Sequence, residues 1–208
     1  MRRWLQYGGF AAGIVLVIFG VVAIAMGASG RSTVSDSLKK EQIVGTPDMT
    51  PAGIKAEAHA AGLKNVSLPT CSVAGKAVTD GSSARCFASY MRIHGLEATG
   101  GLTYSQMARY ASADGKGTND ATKATKAPNG QPLDNPARTV WIDETALSTA
   151  LNVSYMASQL ALFGIVVGVA LLLSGIGFIV LAAFGTLRLA AGAVKAAGPE
   201  TSAKSVTA

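Results

Sequence analysis

Hydrophobic positions fall into two long blocks without a charge, separated by a mixed stretch in which apolar residues are sparse and helically spaced. The first block runs from Trp4 to Gly30 and is densest over Ile14–Phe19 and Val21–Ile24. The second runs from Thr145 to Leu187 and is densest from Leu160 to Phe184. Neither alternates with a period of two, and neither shows one clean polar face, so strands and amphipathic surface helices are disfavoured. About 20 helical residues, at about 1.5 Å each, cross a hydrocarbon core about 30 Å thick. Both blocks reach that length and predict membrane spans over residues 7–29 and 157–187.

The stretch between them, residues 30–156, reads as a small, mostly helical domain. Thr33 to Val44 continues as helix beyond the first span, with Val34 and Leu38 on one face and Gly45, Pro47 and Pro51 ending it. Thr50-Pro51 opens a second helix, stopped at Gly62. Turns and short extended pieces follow, with Asp80-Gly81 expected as a tight turn. Ala84 to His94 forms the widest apolar stripe, Phe87 and Met91 beside Cys86, Tyr90 and Ile93. Thr103-Tyr-Ser-Gln106 predicts a capping box for a helix over Tyr104–Ala113. Residues 115–137 are expected as a flexible surface loop, since Leu133 is their one large apolar residue. Val140–Ile142 reads as a short strand or membrane-edge contact, and Asp143 as the cap of a helix entering the second span. From Glu144 to Leu187 that helix would be about 65 Å long, a stalk that reaches well past the bilayer. The fold class expected is therefore mainly α: a hairpin of two transmembrane helices whose helical stalks carry a disulfide-clipped extracytoplasmic domain.

Charge sets the orientation. Arg2 and Arg3 precede the first span, and Arg188, Lys195 and Lys204 follow the second against Glu200 alone. Between the spans 13 Lys/Arg face 11 Asp/Glu, so the formal net charge of +6 divides evenly among the three segments. Short basic ends stay inside, whereas a long domain is translocated largely regardless of its charge. Both termini, residues 1–6 and a disordered tail over 188–208, are expected in the cytoplasm. The first block exceeds the apolar core of about 7 to 15 residues typical of a cleaved signal peptide, which favours an uncleaved anchor despite the small-x-small Ala23-Ile-Ala25. No block of basic residues marks a nucleic-acid footprint, so no nucleic-acid partner is expected.

Cys71 and Cys86 lie in the translocated segment, outside any metal-ligand or C-x-x-C spacing, and predict a disulfide. Glycines recur in the spans: Gly9, Gly13, Gly20 and Gly27 in the first, Gly164, Gly168 and Gly175 in the second. Small residues on one face let helices approach closely in lipid, here through packing of the two spans or association with a homo-oligomer or partner subunit. Catalytic chemistry is missing. The two histidines, His59 and His94, sit on separate predicted helices, and no nucleophile elbow, Walker loop, H-E-x-x-H or dinucleotide fingerprint occurs. No enzyme activity, cofactor or metal site is expected. His59 reads as solvated or capping, and His94 as the end of its helix.

Ile43-Val-Gly-Thr-Pro-Asp-Met-Thr-Pro51, Leu68-Pro-Thr-Cys71, Ala84-Arg-Cys-Phe87, Tyr90-Met-Arg-Ile-His94 and Glu97-Ala-Thr-Gly-Gly101 resemble a group of uncharacterised actinobacterial two-span membrane proteins. The resemblance covers the spans and most of the chain between them, and implies a bacterial envelope setting. Members sometimes carry the label of aromatic ring-opening dioxygenases. Extradiol cleavage commonly uses iron on two histidines and a carboxylate, which this histidine placement does not support. The function expected is a plasma-membrane protein that presents an extracytoplasmic domain to another membrane or envelope protein. The alternative is a membrane-anchored sensor or binding module that takes a small ligand in a groove near Tyr90, His94, Tyr104 and Tyr110.

Overall fold

The structure, a computed structural model, describes the backbone of residues 2–196 and the side chains of Trp4 and residues 6–184. Four helices follow one another: α1 (Arg2–Lys40), α2 (Pro51–Ala60), α3 (Gly81–Ala98) and α4 (Pro136–Ala196). Among the described residues no strand forms, only isolated β-bridges. The chain divides into two compact units, residues 1–28 with 162–208, and residues 29–161.

In the first unit, α1 and α4 are long and apolar enough to cross a membrane. They meet along small residues. A Cβ placed on Gly13 would lie 2.8 Å from the Gly175 carbonyl oxygen, and one on Gly20 would lie 2.7 Å from that of Gly168. Gly9 meets the Ala182 Cβ at 3.5 Å, so partner numbers fall along α4 as they rise along α1. Gly13, Gly20 and Gly27 are buried, as are Gly168, Gly175 and Ala182, a repeat of seven on both helices. The seam thus follows a repeat of seven from Gly13 and from Gly168, with Gly9 beside its end and Ala182 part of it. Gly164 sits at its edge, with the nearest atom, the Ala23 carbonyl oxygen, 3.8 Å from a built Cβ.

The second unit has two small cores. Met49, Ile54, Ala58, Val73, Cys86, Tyr90 and Ile93 form one, which packs α2 on α3. Leu38, Val78, Ala84, Ala88 and Leu151 form the other, shared by α1, α3 and α4. The Cys71–Cys86 disulfide ties the segment before α3 to that helix.

Local signals explain most boundaries. α1 continues past Gly30 to Lys40, ending on Lys39 and Lys40, which suit the negative end of the helix dipole. Thr50 caps α2, its side chain accepting from the Gly53 N–H, with Pro51 at the first position. Asp80-Gly81 is not a tight turn. Asp80 is the N-cap of α3, with Ser83 closing a capping box, so the helix starts earlier than expected and runs on past His94 to Ala98.

The expected helix over Tyr104–Ala113 does not form. Gln106 Oε1 accepts from the Thr103 N–H at 2.8 Å, so half of the capping box is present, but one turn is all that follows. Tyr110 instead bridges to Thr118 and to Asp134, and the backbone hydrogen bonds of this stretch go across the segment and not along a helix. Of the expected loop over 115–137, residues 115–135 adopt turns and bridges, with Asn135 Nδ2 donating to the Ala108 carbonyl at 2.9 Å, and the last two belong to α4. Val140–Ile142 is not a strand but lies within α4. α4 begins at Pro136, where Asn135 Oδ1 accepts from the Ala137 N–H, and Asp143 lies inside the helix. Of the tail expected to be disordered from residue 188, the part through Ala196 is the end of α4, in keeping with its alanines. The remainder lies outside the described residues.

Candidate functional site

Three chemically capable side chains, distant in sequence, meet in the second unit: Asp48, Glu57 and His94. The loop bearing Asp48 is fixed from both sides. Gly45 bonds to Lys76 and Gly75 so closely that a Cβ there would collide with the Val73 carbonyl. Gly53, in the first turn of α2, likewise leaves room only for the Asp48 carbonyl. Ile54 and Ala58 then press α2 onto Tyr90 and Ile93 of α3, which brings Glu57 to His94, one turn beyond Tyr90.

His94 Nε2 lies 3.2 Å from Asp48 Oδ2 and 3.2 Å from Glu57 Oε2. All three side chains are about one-third exposed, at 29% to 33%. Nε2 itself is sealed from solvent and has no aligned hydrogen-bond partner, so neither carboxylate oxygen sits on its N–H line. The three ligand-type atoms lie within 4.8 Å of one another. The Asp48 carboxyl is held below its ordinary range, first by the Thr46 side chain and, against the opposing effect of burial, by its own backbone and by His94. The cluster can hold a cation or a shared proton.

Tyr90 is fully buried and donates its hydroxyl to the Cys71 carbonyl at 2.6 Å, beside the disulfide. Burial, and then the negative Asp48, raise its pKa.

A second polar cluster surrounds Glu144, whose side chain is only 3% exposed. Arg92 Nη1 lies 3.4 Å from Glu144 Oε2, Ser148 donates to Oε1 at 2.6 Å, and the Arg92 guanidinium stacks on Trp141 at 4.0 Å. Arg92, Glu144 and Ser148 border a cavity of about 330 Å³ that also touches Ser67, Ser89 and Asn152. A separate apolar groove of about 450 Å³ is lined by Leu38, Ile43, Phe87, Met91, Leu147 and Leu151 among others.

No family model, curated protein or solved structure matches the chain.

The structure scatters the four residues expected to line one groove. Tyr90 is spent in the core, and His94 belongs to the carboxylate cluster. Tyr104 is exposed under the Arg138 guanidinium, lining a cavity of about 410 Å³ with Arg109, Asp134 and Asn135. Tyr110 is half-buried and carries the two β-bridges. His59 is exposed in the last turn of α2, where its carbonyl accepts from the cap. Cys71 and Cys86 are bonded to each other. The Asp48, Glu57 and His94 grouping has no spacing signature; its one trace in the sequence is that both carboxylates flank a capped helix start.

Proposed function

We propose that the chain is a bacterial plasma-membrane protein with two spans packed as an antiparallel hairpin, both termini in the cytoplasm. Residues 30–156 stand outside, where the disulfide-clipped domain is an interaction module for another envelope component. One observation carries the anchoring part. Within the expected spans, residues 7–29 and 157–187, the buried described residues are all small, Gly13, Gly20, Gly27, Gly168, Gly175 and Ala182, while large apolar ones are exposed, with Phe19 at 63%, Phe163 at 65% and Leu173 at 63%. The most apolar window of each helix is only 11% buried. A core helix of a water-soluble protein does the reverse. Lipid is the solvent that tolerates such a surface. The disulfide supports an oxidising compartment for the domain, and the basic ends support the orientation.

Protease and thiol accessibility on intact cells tests this reading. External cleavage within residues 111–134, protection of both ends, and no alkylation of Cys71 or Cys86 before reduction are expected. Cleavage confined to the cytoplasmic face, or free thiols, would refute it. The interaction role is tested by cross-linking and co-purification in mild detergent. A partner lost on deleting residues 46–140 is the expected result, and retention through the spans alone would remove the role from the domain.

A second reading, a membrane-anchored small-ligand module, rests on the cavity beside Glu144. Its volume of about 330 Å³ and its converging Arg92, Ser148 and Asn152 suit a small polar molecule. Ligand-induced protection of Arg92 from covalent modification would favour it.

A further inference from the structure

We infer that Asp48, Glu57 and His94 form a binding site for one divalent first-row transition-metal ion of the zinc class. The inference goes beyond the anchoring and interaction reading and does not depend on which side of a membrane the domain occupies. Three features carry it.

The first is the donor set. One imidazole nitrogen and two carboxylate oxygens make a mixed N/O set that zinc-class ions accept, whereas magnesium and calcium favour oxygen alone. The second is the spacing. Ligands about 2.0 to 2.1 Å from a tetrahedral ion stand about 3.3 Å from one another, against about 2.9 Å around an octahedron. Both edges that meet at Nε2 are 3.2 Å. The third is the state of Nε2. It is sealed from water and lacks an aligned hydrogen bond although two oxygens are within reach. A protonated imidazole in a simple ion pair would aim its N–H at one of them. A neutral imidazole aiming its lone pair at a shared ion needs no such alignment.

The surroundings also suit a metal. The ligands come from the loop before α2, from α2 and from α3, so a bound ion would clip three segments together. Three protein donors leave a fourth position for water or for a donor from another molecule.

The test uses the purified full-length protein in detergent, disulfide intact, stripped with chelator and dialysed. Zn²⁺ is titrated in competition with a chromogenic chelator, and Co²⁺ is added separately to read the visible absorption of a tetrahedral N/O site. One Zn²⁺ per chain is expected, with Tm rising with free Zn²⁺ because the ion binds the folded state. Asp48→Asn and Glu57→Gln keep the side-chain shapes and are each expected to weaken binding at least about tenfold. His94→Gln should abolish it, and His59→Ala should leave it unchanged. Should His94→Gln fail to fold, the two carboxylate variants decide. Absence of stoichiometric Zn²⁺ binding would overturn the inference and leave His94 as a side chain packed between two carboxylates. Binding that survives Asp48→Asn and Glu57→Gln, or that disappears in His59→Ala, would overturn it equally.

Discussion

Gly20→Ala places one methyl group in the tightest part of the seam between α1 and α4. Its Cβ would lie 2.7 Å from both the Gly168 carbonyl oxygen and the Leu172 nitrogen, and 2.9 Å from the Leu172 Cβ. Two of these three atoms are backbone and cannot rotate away, so the helices must separate by roughly 0.7 Å to restore an ordinary contact. A gap of that size forfeits about a quarter to a half of the dispersion energy of the atoms that line it. Overpacking of this kind costs about 1–3 kcal/mol, partly offset by the helix propensity gained on replacing glycine, up to about 1 kcal/mol. Gly8→Ala supplies the control. It adds the same methyl to the same helix, where nothing lies within 4 Å, and only the propensity gain remains. The propensity gain is common to both, so the two variants should differ by the overpacking cost, about 1–3 kcal/mol, with Gly20→Ala the less stable. Thermal unfolding in mild detergent, followed by near-ultraviolet circular dichroism and compared at one protein-to-detergent ratio, measures the difference. The double variant Gly20→Ala with Gly168→Ala should cost less than the two singles combined, because each methyl meets the other glycine's carbonyl and one separation accommodates both. Equal stability of Gly20→Ala and Gly8→Ala would refute the seam.

Three further outcomes follow from the second unit. Replacing Cys71 and Cys86 together by serine, or reducing the native protein, opens a loop with a sequence separation of 15. Denaturant unfolding should show a loss of about 3 kcal/mol, absent when the double variant is itself reduced. Gly95→Ala sets a methyl 2.7 Å from the Glu144 Cγ and forces apart a buried carboxylate and its donors, for a cost of about 1–3 kcal/mol, while Gly8→Ala at an open helical position leaves the Glu144 cluster intact. Tyr90 titrates above its ordinary 10.0 because the fold favours the neutral phenol, so its contribution is complete below pH 10 and is lost as pH rises through the folded-state value. Tyr90→Phe should remove that alkaline loss while costing about 1 kcal/mol at neutral pH, the hydrogen bond to Cys71. Absorbance at alkaline pH, read beside unfolding curves, would show a normal ionisation if the ring were solvated.

Much of this architecture is legible in the sequence where the determining signal is local. Thr50-Pro51 caps α2, the length of the charge-free blocks marks α1 and α4, and the two cysteines have no other partner to choose. Local signals mislead where a competing partner lies far along the chain. Thr103 and Gln106 do form half of a capping box, yet the backbone of Tyr110 pairs with Thr118 and that of its neighbours Arg109 and Ala111 with Asn135 and Leu133, in place of a helix. Asn135 looks like loop composition, but its carboxamide oxygen is what starts α4. The glycines signal close packing, while which residue each one meets, Gly20 on Gly168 and Gly9 on Ala182, depends on the neighbouring helix. The Asp48, Glu57 and His94 cluster is the extreme case. It follows from α2 lying on α3, a consequence of Ile54 and Tyr90 that no spacing along the chain encodes.

The bridges at Tyr110 have a consequence for what this domain can become. The chain leaves at Arg109–Tyr110 and returns at Asp134–Asn135, where the Asn135 N–H donates to the Arg109 carbonyl at 2.9 Å. Neither hydrophobic cluster draws a residue from the excursion between those points. Its neck is closed by backbone groups, with one further bond from the Arg109 N–H to the Asn119 carboxamide oxygen. Residues 120–132 can therefore lengthen, shorten or be exchanged for another peptide without disturbing the clip between Cys71 and Cys86 or the entry into α4. The domain holds together at its base and is free to vary at its tip, an arrangement under which related chains would diverge first in the part they expose.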